Sequence, residues 1–188
     1  MKRASKENVQ TTLVFPSSLG WIAIIRDGNM IRSLTFGHPR RDAAMRALAA
    51  QLPADAPLRT DRDIDGLAQR LQAYSGGHPD DFRDVRIDLG GLSPFQRRVT
   101  QQCRKIRYGQ FLTYGELAAK TGSPRAARAV GNCLAANRVP LIVPCHRVVL
   151  AGGQPGAYSA PGGSRMKQRL LALEVAHAGC HEARIRLQ

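Results

Sequence analysis

The second half of the chain carries explicit signals for where its helices begin. Ser93-Pro94 places a hydroxyl-bearing cap before a proline at the first helical position, and Gln96 completes a capping box with that serine. Thr113 and Glu116 form a second box of the same kind. Apolar residues recur at helical spacing after the first box, at Phe95, Val99, Cys103 and Ile106. We therefore predict a mostly helical second half, with Cys103 in its core.

The second capping box begins a pattern of helix, turn and helix. The first of these helices ends near Lys120, and Thr121-Gly122 is a turn. Ser123-Pro124 is predicted to cap the next helix, which runs to about Asn137. A short helix, a glycine turn and a second helix are typical of a helix-turn-helix. A last helix is predicted over residues 164–175, with Arg165, Lys167 and Arg169 exposed.

The first half has the pattern of an antiparallel ribbon. Three apolar and β-branched runs are separated by turn residues, at positions 11–15, 21–26 and 30–36. Asp27-Gly28 marks a tight hairpin between the second run and the third. Further along, the spacing predicts helices at 41–52 and 64–74, a loop at 53–62, and a short strand at Val85–Leu89 that returns to the ribbon.

Together these patterns predict an α+β fold. The small N-terminal domain, residues 1–90, has the antiparallel β-ribbon and helices and ends at the linker Gly90-Gly91. The C-terminal domain, residues 91–176, is mostly helical and contains the helix-turn-helix, which makes it winged-helix-like. Residues 177–188 are predicted to be a basic tail.

Charge divides the chain into two unlike parts. The formal net charge is +14, but residues 1–92 hold 13 Lys and Arg against 11 Asp and Glu, whereas residues 93–188 hold 15 against 3. A strongly basic half favours a polyanion as its partner, and nucleic acid is the first candidate. An anionic membrane surface is the alternative, although the chain has no Trp- or Phe-rich amphipathic helix to support it. We expect a monomer.

The cysteines and the N-terminus bear on the cellular compartment. The first residues lack the apolar stretch of a secretory signal, and no apolar run approaches a membrane span. We therefore expect an intracellular protein, cytoplasmic in a prokaryote, with its four cysteines as thiols. No pair has Cys-x-x-Cys spacing, so a zinc site is not expected. We also expect no cofactor.

Cys145 and His146 are adjacent in the segment Val143-Pro144-Cys145-His146-Arg147-Val148-Val149. A cysteine is the strongest side-chain nucleophile once ionised, and a neighbouring histidine is a common proton acceptor for it. A histidine base needs a partner on its other nitrogen, and Glu174 is the candidate because the second half has few acidic residues. The alternative is a structural cysteine in a tight proline turn.

The same segment resembles the Pro-Cys-His-Arg-Val signature of the O6-alkylguanine-DNA alkyltransferases. The resemblance covers residues 85–176 well and the first domain loosely. It includes Thr113-Tyr114-Gly115-Glu116-Leu117-Ala118, the run from Ser123 to Gly131, Asn137, Pro140, Tyr158-Ser159, Arg165-Met166-Lys167 and Leu170-Leu171-Ala172-Leu173-Glu174. The segment 159–164 is longer than the family pattern. Several motifs in order make the match specific.

The resemblance implies a protein that repairs double-stranded DNA containing alkylated guanine. Cys145 accepts the alkyl group and keeps it, so each molecule reacts once, and O4-alkylthymine is a possible second substrate. The helix-turn-helix enters the minor groove, where small side chains permit close approach, and the damaged base rotates out of the stack. The resemblance places Ser123, Arg125, Ala126, Ala127 and Ala129 at the DNA, and Arg128 in the gap left by the base.

Further roles follow from the resemblance for the residues around the cysteine. Tyr114 donates a hydrogen bond to guanine N3 and assists guanine as a leaving group. The backbone carbonyls of Cys145 and Val148 accept from the guanine amino group, and Ser159, beside Tyr158, donates to O6. Asn137 ties the recognition helix to the cysteine turn. Two alternatives are a module that recognises damaged DNA without repairing it and a cysteine hydrolase, which usually gathers its Cys and His from distant segments.

Overall fold

The computed structural model describes residues 10–51, 59–60, 63 and 65–178. Its first element is the predicted antiparallel ribbon, built from β1 (Gln10–Phe15), β2 (Trp21–Asp27) and β3 (Met30–His38). Asp27 pairs with Met30, so Gly28 and Asn29 form a two-residue turn. Gly28 has a φ of 58°, which glycine adopts without the steric cost that other residues meet there.

In the described part of the first half, two helices and one further strand follow the ribbon. The helix α1 (Arg41–Ala49) ends earlier than predicted, and α2 (Leu67–Ser75) covers most of the second predicted helix. Between them β4 (Arg59–Thr60) pairs in parallel with β1, inside a segment that was predicted to be a loop. The sheet order is β3-β2-β1-β4. A two-residue strand is too short to show a hydrophobic alternation, so the sequence gives no signal for it.

The strand predicted at Val85–Leu89 is reduced to a single parallel bridge between Ile87 and Ile31 of β3. Ile31 N–H donates to Arg86 O at 2.8 Å, and Asp88 N–H donates to Ile31 O at 2.9 Å. Val85 N–H bonds Phe82 O in a local turn instead of joining a ladder.

The second half follows the predicted order of helices. It contains α3 (Pro94–Cys103), β5 (Leu112–Thr113), α4 (Tyr114–Lys120), α5 (Ala127–Ala135), a 3-10 turn (Cys145–Arg147), β6 (Val148–Val149) and α6 (Gly163–His177). The strands β5 and β6 form a small parallel pair. Both predicted capping boxes are present: Ser93 exchanges hydrogen bonds with Gln96, and Thr113 with Glu116.

The predicted cap at Ser123-Pro124 is wrong. Helix α5 begins at Ala127, and its N-cap, Ala126, makes no side-chain capping bond. The Ser123 carbonyl instead accepts from Ala126 N–H at 2.9 Å, which closes a turn. Because the backbone bends back on itself over these residues, the helix starts three residues later than the serine-proline signal indicates.

One hydrophobic core runs through both halves. Its buried side chains include Phe15, Leu34, Phe36 and Leu71 from the first half and Val99, Ile142, Val148 and Leu170 from the second. Cys103 is fully buried in it, as predicted. The domain boundary at residue 90 stays a prediction. No helix in the described part of the chain is both long and apolar enough to cross a lipid bilayer. The predicted tail falls almost entirely outside the described residues.

Candidate active site

A cavity of about 460 Å³ opens beside Cys145. Helices α4, α5 and α6 contribute Tyr114, Gly131 and Lys167 to its wall, and the loop before α6 contributes Tyr158 and Ser159. The helix-turn-helix therefore lies next to the cysteine, because α4 and α5 are its two helices. The volume falls within the range of small-molecule sites in proteins.

Cys145 begins the 3-10 turn and is 3% exposed. The amide of Asn137 donates to Cys145 Sγ at 3.1 Å and to Val143 O at 2.9 Å, so it joins the end of α5 to the cysteine turn. Burial raises the pKa of the Cys145 thiol, although Asn137, Lys167 and Tyr158 partly oppose that shift. The resting sulfur therefore keeps its proton at neutral pH, and the nucleophile has to be generated by a base when it reacts.

His146 is fully buried behind the cysteine. Its Nε2 lies 2.9 Å from Glu174 Oε1, whereas its Nδ1 is buried and has no partner among the described residues. Burial lowers the pKa of His146, against the raising effect of Glu174. A neutral ring that donates from Nε2 to Glu174 leaves Nδ1 as a proton acceptor. The structure records no direct hydrogen bond between the described side chains of Cys145 and His146.

Glu174 lies in α6, is 1% exposed, and makes the contact with His146 that the sequence predicted. Gly109 N–H donates to its Oε2 at 3.0 Å, and the Arg147 guanidinium donates to both of its oxygens at 3.0–3.1 Å. Burial raises the pKa of Glu174, but His146 and Arg147 outweigh it and bring that pKa to about 2. The carboxylate is therefore ionised throughout the physiological range and can stabilise a protonated His146.

Lys167 was predicted to be exposed, and this is wrong: it is 1% exposed. Its Nζ donates to Val148 O at 2.6 Å and lies 3.4 Å from the Tyr114 hydroxyl. Burial lowers the pKa of Lys167 to about 8. Position 167 shares the helical spacing of Leu170, Leu171 and Glu174, which are the other buried residues of α6. That periodicity was the signal for its burial, and the charge of the side chain concealed it.

Tyr114 and Tyr158 line the same cavity as Cys145, and Lys167 Nζ lies 5.5 Å and 6.0 Å from the centroids of their rings. Tyr114, the first residue of α4, is half-buried, and its ring lies against Gly131 of α5. The hydroxyl of Tyr158 is buried next to the Cys145 sulfur, and burial raises the pKa of Tyr158 well above 10. Both phenols therefore carry their protons at neutral pH and can donate. Ser159 is exposed at the rim of the cavity.

The residues that the resemblance assigns to DNA lie at the start of α5 and in the turn before it. Arg125, Arg128 and Ala129 are exposed, whereas Ser123, Ala126 and Ala127 are partly buried. Neither Arg125 nor Arg128 has a hydrogen bond or ion pair recorded with the described residues, so both cations are free to meet an anion. Because alanine side chains are short, the helix backbone at this surface can approach a DNA groove closely.

The sequence patterns assigned no role to three residues that contact Glu174 or its partner: Arg147, Tyr74 and Asp81. Arg147 is 1% exposed and joins Glu174 to Asp81 and to Ile106 O, at 2.9 Å and 2.6 Å for the last two contacts. Tyr74 of α2 donates to Glu174 Oε1 at 2.5 Å. Tyr74 and Asp81 come from the first half of the chain, where no motif pointed to them. Among residues 10–51, 59–60, 63 and 65–178, no three His, Cys, Asp or Glu side chains are grouped to hold a metal ion.

Comparisons with known proteins agree with this geometry. Residues 94–176 match the family model for the 6-O-methylguanine DNA methyltransferase DNA-binding domain. The methylated-DNA–protein-cysteine methyltransferase of Mycolicibacterium paratuberculosis is 44% identical over 117 residues, which are 62% of this chain and 68% of that protein. The protein of the same name from Salmonella typhimurium is 42% identical over 109 residues, 58% of this chain and 62% of the relative.

Solved structures extend the likeness to the first half. The crystal structure of Mycobacterium tuberculosis O6-methylguanine methyltransferase is 30% identical with a TM-score of 0.72, covering 92% of this chain and 96% of that one. The structure of Mycobacterium tuberculosis OGT in complex with DNA is 31% identical with a TM-score of 0.71, and the match covers 89% of this chain and 94% of that one. This chain therefore belongs to the methylated-DNA–protein-cysteine methyltransferase family, whose function is DNA repair by alkyl transfer to a cysteine.

Proposed function

We propose that this protein repairs O6-alkylguanine in double-stranded DNA by a single transfer of the alkyl group to Cys145. The observation that carries the proposal is the Cys145 thiol in the wall of a cavity, with the His146–Glu174 pair behind it. An alkylated guanine cannot reach a buried sulfur from within the base stack, so the base enters the cavity rotated out of the duplex. The protein carries out this chemistry without a cofactor.

The chemistry begins with removal of the thiol proton. Nδ1 of His146 is the acceptor, and we place one bridging water between it and the sulfur because the two side chains make no direct bond. Glu174 stabilises the imidazolium that forms. The thiolate then forms a bond to the alkyl carbon while the bond from that carbon to O6 breaks. The electron pair goes to guanine, and Tyr114 donates to N3 to make guanine a better leaving group.

The remaining roles concern recognition. Arg128 fills the gap in the stack, where its planar guanidinium can stack and hydrogen-bond. The cavity residues Ser159 and Tyr158 hold the O6 side of the base. The carbonyls of Cys145 and Val148 accept from the guanine amino group; Val148 O already accepts from Lys167, but a carbonyl oxygen has a second lone pair. Residues 1–90 and 91–176 act as a scaffold domain and a DNA-binding, alkyl-acceptor domain.

The test is a mass measurement on the whole protein. We expect incubation with duplex DNA bearing O6-methylguanine to add one methyl group per molecule, and peptide mapping to place it on Cys145 rather than on Cys103 or Cys133. Undamaged duplex of the same sequence is the control. Loss of the lesion with no mass gain and with repeated turnover would identify a cysteine hydrolase. An intact lesion in a stable complex would identify a recognition module.

Replacing Arg128 with alanine should separate base rotation from chemistry. We expect transfer from duplex DNA to slow by about 10- to 100-fold. Rotating the base out of the stack costs a few kcal/mol, and without the Arg128 side chain in the gap nothing compensates that cost. Transfer from free O6-benzylguanine should stay within about twofold, since no base has to be rotated. The matched control is Arg41→Ala, which removes one exposed cation from α1. Equal losses on both substrates would exclude a role in rotation.

We further propose that the protein acts as a monomer inside the cell, and in the cytoplasm of a prokaryote. The reaction needs a reduced thiol, and a reducing compartment maintains it.

A further inference from the structure

One side chain from the first half of the chain contacts both His146 and Glu174, the pair that we propose accepts the thiol proton. Tyr74 is fully buried in α2, and its hydroxyl lies 2.5 Å from Glu174 Oε1 and 3.2 Å from His146 Nε2. The three groups therefore meet at a single point. Edge-to-face contacts with Phe82 and Tyr108, at 5.6 Å and 5.8 Å between ring centroids, fix the orientation of the Tyr74 ring.

A second connection from the first half ends on the neighbouring arginine. Asp81 accepts from Arg147 Nη1 at 2.9 Å and from Tyr108 N–H at 2.7 Å. The segment around Asp81 is itself held by Arg104 of the second half, whose Nη2 donates to three carbonyls, those of Phe82, Arg83 and Val85. Arg147 is therefore pinned between Glu174 and a firmly attached segment, and its position does not depend on the second half alone.

We infer that Tyr74 is a positioning residue for His146, so that the first half of the chain is part of the alkyl-transfer machinery and not only its scaffold. This inference rests on the proposed function and deepens it. The Tyr74 hydroxyl donates to Glu174 Oε1 and so holds the carboxylate in one orientation. In that orientation the carboxylate accepts a hydrogen bond from His146 Nε2–H. The ring is thereby kept in the tautomer whose Nδ1 is unprotonated and available to the thiol. Burial raises the pKa of Tyr74 well above 10, so the hydroxyl remains a donor at every pH of interest.

The pH dependence follows from the groups that face His146. Helix α6 contributes Glu174 and Lys167, α2 contributes Tyr74, and its own turn contributes Cys145 and Arg147. Only Glu174 favours the protonated ring, because the two cations oppose it. Without the tyrosine hydroxyl, Glu174 has one donor fewer and offers more negative charge to His146. Removal of the hydroxyl therefore raises the pKa of His146, and the reaction, which needs the neutral ring, loses rate at a higher pH than in the unaltered protein.

The experiment compares Tyr74→Phe with Tyr108→Phe. The two variants each delete one phenol oxygen between the halves, but the Tyr108 hydroxyl bonds Gly77 O and does not reach His146. The rate of methyl or benzyl transfer from the free modified base is measured from pH 5 to 9, with the imidazole nitrogen NMR signals of His146 alongside. We expect Tyr74→Phe to slow transfer about tenfold, part of what a positioned base contributes. We also expect it to move the acid limb of the profile upward and to mix the two tautomers, whereas Tyr108→Phe does none of these.

Each outcome decides a different question. If the unaltered protein transfers no alkyl group, the proposed function fails before the variants are compared. If the unaltered protein is active and Tyr74→Phe keeps its pH profile and its His146 tautomer, the inference is overturned, even where the melting temperature has dropped. A shifted profile in both variants would also overturn it, because loosening of the contact between the halves would then explain the effect.

Discussion

Replacing Cys145 with alanine should abolish alkyl transfer and leave a protein that still binds alkylated DNA. The other described thiols cannot take over: Cys103 is fully buried in the core, and Cys133 lies outside the cavity that holds Cys145. Asn137 loses one acceptor but keeps its bond to Val143 O, so the turn stays anchored. The loss of one buried sulfur costs about 1–2 kcal/mol of stability, too little to unfold a domain.

The measurement for this variant has two parts. Intact mass after challenge with O6-methylguanine DNA should show no added methyl group, while a gel-shift titration should show binding to the damaged duplex. Cys133→Ala is the matched control and should gain one methyl group as the unaltered protein does. Methylation of the Cys145→Ala variant at any other residue would disprove the assignment of the acceptor.

Among these single substitutions, Glu174→Gln should lower the free energy of unfolding the most. Five hydrogen-bond donors, from Tyr74, Gly109, His146 and Arg147, point at the two carboxylate oxygens. An amide of the same shape turns an NH2 group toward some of those donors. It also removes the fully buried one of the two carboxylates that pair with the Arg147 guanidinium and leaves only the more exposed Asp81. Breaking a buried ion pair on one side costs about 3–5 kcal/mol. Transfer activity should also fall by about 100-fold or more, since His146 loses its partner.

The pH dependence of unfolding checks the same residue. The pKa of Glu174 lies at about 2 in the folded protein, below its usual value of 4.5. The stabilisation is therefore complete above about pH 4.5 and is lost as the pH falls toward 2, an effect of about 3 kcal/mol. Urea titrations between pH 7 and 2 should show a loss that is about 3 kcal/mol larger in the unaltered protein than in Glu174→Gln. Other carboxylates with lowered pKa values, such as Asp84 and Glu116, contribute equally to the loss in both proteins.

Glu116→Gln is the matched control. Glu116 is exposed, and glutamine can serve in a capping box, so this change should cost less than about 1 kcal/mol. Equal destabilisation by both substitutions would contradict the importance given to the buried Glu174 network.

Local signals in the sequence predicted the helix starts and the contacts nearest the cysteine. The capping boxes at Ser93 and Thr113 involve residues three apart, and their hydrogen bonds depend on little else. Glu174 could be assigned to His146 because acidic residues are scarce in the second half. The cap at Ser123 failed for a related reason: serine and proline favour a turn as well as a helix start, and the following backbone decided between them.

The parts that could not be predicted are long-range. Tyr74 and Glu174 are separated by 100 positions, and their contact depends on how α2 packs against α6. The burial of Lys167 followed the helical spacing of α6, but a lysine is seldom buried, so its residue type argued the other way. The pairing of Asp81 with Arg147 carries no pattern at all, since either residue alone is typical of a solvated surface.

The core that continues from β1 to α6 limits how such a protein can change over evolution. Because apolar side chains of both halves interlock in one cluster, neither half can be exchanged for a foreign segment as a ready-made module. A lineage that discarded the sheet would first have to acquire polar residues wherever the remaining helices now meet it. Substitutions that disturb no shared interior are therefore confined to the outer loops and to exposed positions around the start of α5, such as Arg125, Arg128 and Ala129.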